Sequence, residues 1–237
     1  MEDFPKLIDT HAHLTHSVFA DDWRAVVNRA LEQNIWMIVV GTDYASSVEA
    51  ISFAEAFPRG VYAAVGFHPQ GFSSEEKQGL MTVDQFVDFE SFGDLLRHPK
   101  VVAIGEVGLD FHHLSEGHLS DPEHRSFIIQ LQYEALDHFL EFSRQFRLPL
   151  ILHARDAYPE MIQRLRRFDR TSRGFDSRGI IHHFTGHWPE AKSFLNLDFY
   201  LSFTGAIVRS RSRDEVIQKT PISKLVVMSS MGVSRSA

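Results

Sequence analysis

Two histidines one residue apart, His11 and His13, close the stretch KLIDTHAHL, where an apolar run gives way to an acid and then to imidazoles. Four more candidate donors follow or end short apolar runs: His68 in GFHP, Glu106 in IGEVGLD, His153 in LHARD and His182 in HHFTG. The chain has no cysteine, so a thiolate metal site and a disulfide framework are both excluded. Any transition-metal site must then use His, Asp and Glu, a donor mixture that suits borderline divalent cations. Glu106 sits between Gly105 and Val107, and a carboxylate buried there is costly without a cation or hydrogen-bonding partner. One carboxylate bridging two ions, each with its own imidazoles, is the economical arrangement. The other histidines (His16, His98, His112, His113, His118, His124, His138, His183 and His187) read as surface or packing residues.

Groups so far apart in the chain need elements that bring them together. Apolar runs of four to eight residues recur along the whole sequence: KLID, 35–41, 61–67, 101–108, 148–154, 179–184, 199–205 and 224–228. They are rich in β-branched and aromatic residues, as buried parallel strands are. Amphipathic stretches separate them, the clearest at 122–147. There Phe127, Leu131, Ala135, Phe139, Phe142 and Phe146 form one stripe, with Asp121 as N-cap and Pro122 as first helical residue. Eight strands with intervening helices predict a single TIM-type (β/α)8 barrel over 1–237, with a doubly wound open sheet as the alternative. Barrel strands point their C-terminal ends at one face, so the six donors converge there. Side-chain alternation puts His11 and His13 on one side of their strand.

Composition limits what such a barrel can act on. A net charge of −7 argues against coating nucleic acid through bulk positive potential. It leaves a nucleic-acid substrate open, because bound cations offset phosphate charge locally. The N-terminus MEDFPKLID lacks an apolar signal core, and no apolar run reaches membrane-spanning length, so a cytoplasmic enzyme with no membrane partner is expected.

The motifs DTHAHL, AVGFHP, AIGEVGLDF, QLQYEALDHFLEFSRQFRLPLILHARDA and IIHHFTG together resemble, in order, those of the TatD family of metal-dependent deoxyribonucleases, amidohydrolase-type barrels. The resemblance runs from residue 7 to about 227. It implies that His11 and His13 ligate one divalent metal and that Glu106 bridges to a second held by His153 and His182. The ions would be Mg, Mn or Zn. It also implies that His68 and Arg155 face a phosphate of a DNA substrate, cleaved from a 3′ end. An amide or ester substrate is the competing enzyme reading, but barrels of that kind often carry a modified lysine where Glu106 stands.

The resemblance breaks at the end of the chain. The family carries an aspartate after strand eight that is both ligand and general base. Here KLVVMSSMGVSRSA places Ser230 at that position, or Met231 if the register slips by one, and no Asp or Glu follows Glu215. Two expectations follow. The last nine residues are an aberrant end of a truncated or frame-shifted product, leaving the last covering helix missing; or the chain keeps metal binding and turns over poorly, since loss of a general base costs about 10²–10⁴-fold. A non-catalytic relative that binds nucleic acid or a partner is the alternative from another class. The catalytic base is unassigned.

Overall fold

Eight strands pair side by side, all parallel and in chain order: β1 Leu7–Ala12, β2 Ile35–Val40, β3 Val61–Val65, β4 Val101–Asp110, β5 Leu150–Arg155, β6 Gly179–Ile181, β7 Tyr200–Phe203 and β8 Leu225–Val227. They are seen in a computed structural model that describes residues 4–73, 82–112, 114, 121–171, 178–205 and 211–228. Thr10 Oγ1 on β1 donates to the Val227 carbonyl on β8 at 3.3 Å, so the sheet curls until its first and last strands meet. That sequential order with meeting ends is a nearly closed (β/α)8 barrel. A doubly wound sheet would reverse its strand order midway.

Seven strands are each followed by a helix: α1 Trp23–Glu32, α2 Tyr44–Glu55, α3 Phe89–Leu95, α4 Pro122–Phe146, α5 Tyr158–Thr171, α6 Trp188–Asn196 and α7 Asp214–Lys219. No α-helix follows β8 among the described residues, and residues 229–237, Ser230 included, lie outside them. Among the described residues, apolar surface lies open where the first and last strands meet. Leu7, Ile8 and Val227 are exposed, and a mostly apolar cavity of about 490 Å³ lies among β1, β2, β8 and α1. None of the described helices is long and apolar enough to cross a membrane.

Helix α4 forms as its sequence requires. The Asp121 carboxylate accepts from the His124 N–H at 2.8 Å, Pro122 occupies the first turn, and Leu131, Ala135 and Phe139 are buried along the apolar stripe. Phe139 packs edge-on against Phe89, Phe92 and Phe142, joining α3 and α4 in the layer between barrel and helices. Inside the barrel a separate cluster of Val40, Ala64, Ala103 and Ile151 fills the space below the mouth. The faces of β2 to β5 can therefore be told apart by which cluster each side chain joins.

Register shifts fall on two strands: β4 gains a residue against β3 between Val101 and Ala103, and two further shifts, one on β1 and one on β4, carry donors. On β1, three residue steps from Asp9 to Ala12 stand against two from Met37 to Val39 on β2. On β4, three steps from Ile104 to Val107 stand against two from Leu150 to Leu152 on β5. Each is a bulge that changes which side the following residues face.

Candidate metal centre

The β4 bulge decides where Glu106 points. Ile104 belongs to the outer layer facing the helices, and strict alternation would send Glu106 the same way. The extra residue turns it inward, to the side of Ala103, where it is 3% exposed. Its backbone N–H donates to the Gly41 carbonyl at 2.9 Å. The sequence expectation put Glu106 at the end of strand four, but β4 continues to Asp110, so the carboxylate lies within the strand. The β1 bulge acts alike. Leu7 and Asp9 line the outer groove, whereas His11, of the same parity, enters the barrel mouth.

Five imidazoles converge on this carboxylate. Oε2 lies 3.1 Å from His11 Nε2 and 3.7 Å from His13 Nε2. Oε1 lies 2.9 Å from His153 Nδ1, and 3.5 Å from both His68 Nε2 and His182 Nε2. His182 comes just after β6, its N–H held by the Leu152 carbonyl at 2.8 Å. His68 is held through its N–H by the Thr42 carbonyl at 2.8 Å. A cavity of about 460 Å³ opens over the cluster, lined among others by Thr42, Asp43, Phe67 and Gln70.

The donors fall into two groups that share Glu106: His11 with His182, and His68 with His153, the donor atoms in each group lying within 4.8 Å of one another. This grouping differs from the expected pairs of His11 with His13 and His153 with His182. The His182 ring stacks on His11 with centroids 3.6 Å apart, while His13 meets His11 edge-on. His68 instead stands beside His153 at a ring separation of 4.4 Å. Arg155 ends β5 on the same side as His153 and is exposed. The structure does not bring it into the cavity lining, and its carbonyl accepts from the Phe111 N–H at 2.9 Å.

Electrostatics set the protonation of the cluster. Burial alone would raise the Glu106 carboxyl, but His182, His11 and His68 outweigh it and hold the group well below the usual carboxylate range. Burial, reinforced by His11, lowers His13 to about 4, and burial pushes His182 well below its ordinary value. Those two rings are neutral near pH 7 and keep a nitrogen lone pair. His153 behaves oppositely. Burial works against its charge, yet hydrogen bonds to Asp110 and Glu106 raise it to about 9.

The residues fit a divalent ion by their own chemistry. His11 Nε2 and His13 Nε2 lie 2.8 Å apart, and Nδ1 of His11 and of His182 are buried with no hydrogen-bond partner among the described residues. Imidazoles crowded round one ionised, buried carboxylate form a nitrogen and oxygen donor set for Zn, Mn or a similar cation. Outside the cluster, the bland reading of several histidines holds. His98 meets Glu55, His112 meets Asp156 and His138 stacks on Phe89, while His113 and His118 lie outside the described residues.

Sequence reasoning gave no role to Asp110 or Gln132. Asp110 is four residues after Glu106, a spacing that predicts a shared face, and its Oδ2 lies 3.0 Å from His153 Nε2. Gln132 interrupts the apolar stripe of α4 and is 1% exposed, and a buried amide in such a stripe signals a partner. Two arginines of the segment 164–178 are paired locally: Arg164 meets Asp137 and lies over the Tyr133 ring, and Arg178 meets Asp169. After strand seven the sequence reads RSRSR at 209–213; residues 209 and 210 lie outside the described residues, and Arg213 donates to the Thr185 carbonyl at 2.7 Å.

Comparison with known proteins agrees with this geometry. The sequence model of the family described as TatD related DNase matches residues 8–229. The metal-dependent hydrolase YabD of Bacillus subtilis strain 168 is 30% identical over 224 residues, spanning 93% of this chain and 78% of that protein. The 3'-5' ssDNA/RNA exonuclease TatD of Erwinia tasmaniensis is 29% identical over 217 residues, spanning 91% of this chain and 74% of the relative. Among solved structures, the TatD homolog YjjV of Escherichia coli K12 superposes with a TM-score of 0.75 at 28% identity, covering 94% of this chain and 78% of that one. With the barrel, the donor cluster and the family match all in agreement, the chain belongs to the TatD-related DNase family of metal-dependent hydrolases.

Proposed function

We propose that this chain is a divalent-metal-dependent phosphodiesterase that removes nucleotides from the 3′ end of DNA. The observation that carries the reading is the convergence of five imidazoles on the buried Glu106 carboxylate at the mouth of the barrel. Glu106 would bridge two ions, one held with His11 and His182 and closed by His13, the other held with His153 and His68. This takes His68 as a ligand instead of a phosphate contact, because its Nε2 points at Glu106 beside His153. Bound divalent ions would supply Lewis acidity toward a phosphoryl oxygen and a hydrolytic nucleophile near neutral pH.

The chain's own groups do the rest. Glu106 and Asp110 remain ionised at neutral pH and set the charge of the floor, Asp110 being held near 2 by its bonds to His153 and His112 in spite of burial. Phe67 and Gln70 wall a cavity of a size suited to one nucleotide, and Arg155, exposed at the end of β5 outside that lining, would meet a phosphate approaching from solvent. A relative named as a 3'-5' ssDNA/RNA exonuclease supports the polarity and the substrate class.

The test is degradation of end-labelled single-stranded DNA with Mg²⁺, Mn²⁺ or Zn²⁺, with chelator and His153→Ala controls. Stepwise loss from the 3′ end, abolished by both controls, is expected. Cleavage that survives the chelator, or a folded, metal-loaded chain that binds DNA and never cleaves it, refutes the reading. Preference for RNA over DNA revises the substrate alone.

A further inference from the structure

Of the five imidazoles at Glu106, His153 is the one that turns Nδ1 toward the carboxylate; the other four turn Nε2. A ring that presents Nδ1 has its donor atom next to the Cβ attachment, so a small rotation of the ring carries the lone pair away from its target. The far nitrogen is where such a ring can be held. His153 Nε2 lies 3.0 Å from Asp110 Oδ2, and Asp110 is 3% exposed.

We propose that Asp110 is a positioning residue that keeps the hydrogen of His153 on Nε2 and so aims the Nδ1 lone pair at the ion beside Glu106. The proposal rests on the metal-centre reading above and adds to it a residue outside the ligand set. Asp110 is itself held on every side. Gln132, reaching in from α4, accepts from the Asp110 N–H with Oε1 at 2.9 Å and donates to the Asp110 carbonyl with Nε2 at 3.0 Å, occupying both backbone groups at the strand end. The His112 N–H donates to Asp110 Oδ1 at 3.0 Å, and the Gln70 amide donates to Oδ2 at 3.0 Å. The carboxylate is thus oriented before any ion arrives. A carboxylate behind a ligating imidazole fixes its tautomer and orientation, and removing such partners typically costs about 10–100-fold in metal affinity or activity. Gln70 also lines the cavity, so it links this support to the space above the cluster.

The full chain is tested with Zn²⁺ as the probe. Asp110→Asn keeps the volume and removes the charge. Its Zn²⁺ dissociation constant, read by calorimetry, is expected to rise by about 10–100-fold. Nitrogen-15 spectra of the zinc-loaded parent, with His153 assigned through a His153→Gln variant, are expected to show Zn²⁺ on Nδ1 and a protected hydrogen on Nε2. That protection is expected to weaken in Asp110→Asn. Parent-like affinity and protection in Asp110→Asn overturns the proposal, as does zinc on Nε2 of His153 in the parent. If Asp110→Asn does not fold, the parent spectrum decides alone. A parent that takes up no Zn²⁺ refutes the metal centre and this proposal together, whereas zinc bound at the wrong nitrogen refutes only the proposal.

Discussion

Gly108 offers a quantitative check on how β4 and β5 hold the centre together. It pairs with His153 in the parallel ladder, at a φ of +151° that side chains rarely adopt. A Cβ there would lie 1.9 Å from the His153 carbonyl oxygen, 2.8 Å from its carbon and 3.0 Å from its nitrogen. Ordinary carbon–oxygen contacts begin near about 3.3 Å, so Gly108→Ala must part the strands by roughly 1.4 Å. The Asp110–His153 bond, now 3.0 Å, would open past 4 Å by about the same distance and cease to be a hydrogen bond. Backbone strain costs of order 1–3 kcal/mol and overpacking about as much again, together about 2–6 kcal/mol. At roughly 2–4 °C per kcal/mol for a chain of this size, Tm should fall by on the order of 10 °C. Zn²⁺ affinity should fall with it, since the His153 ring leaves both of its partners. Calorimetric melting and Zn²⁺ titration read the two effects. Gly205→Ala, where nothing lies within 4 Å of the added carbon, is the neutral control. A Gly108→Ala chain that melts and binds like the control would refute the close approach of β4 to β5.

Three further outcomes are expected. Glu106→Gln removes the carboxylate shared by both donor groups and should abolish binding of a second equivalent of Mn²⁺ or Zn²⁺; two equivalents bound by the variant would contradict the bridging role. In chelator-treated protein, His153 is raised from 6.5 to about 9, so its stabilising contribution is complete below pH 6.5 and is lost as pH rises through about 9. That displacement corresponds to about 3 kcal/mol, which should appear as a fall in denaturant midpoint between those limits and vanish in His153→Gln. Ser230→Asp supplies a carboxylate where the sequence has none after Glu215, and DNA hydrolysis should rise by about 10²–10⁴-fold. Equal initial rates for the two chains would show that residue 230 supplies no base.

Much of the fold is legible in the chain because buried parallel strands leave a plain mark. The runs at 35–41, 61–67 and 101–108 read as strands because they are short, apolar and set between amphipathic stretches, as the strands of a buried parallel sheet are. The Asp121–Pro122 start of α4 was equally plain, because capping is local chemistry. The ligand candidates emerged for a related reason: His11, His68, Glu106, His153 and His182 are polar residues next to or within apolar runs, and burial makes them expensive without a partner.

Grouping and orientation were another matter. The sequence could not show that His182 would lie over His11, or that His68 would stand beside His153, because those neighbours are fixed by how the strands curl around the barrel. Nor could it show that Glu106 faces inward. Read by alternation from Ile104 it faces out, and only the register between β4 and β5 reveals the extra residue that turns it. Asp110 and Gln132 left local hints in the 106/110 spacing and the amide within an apolar stripe, but their pairing could not be read, since a hydrogen bond between residues 22 apart exists only once a helix has packed on its strand. Residue type and local spacing thus determined which groups were available and that they would collect at one end of a barrel. Tertiary structure decided which nitrogen each ring presents, which ring sits beside which, and which carboxylate stands behind His153, because those depend on bulges and packing contacts that carry no local signal.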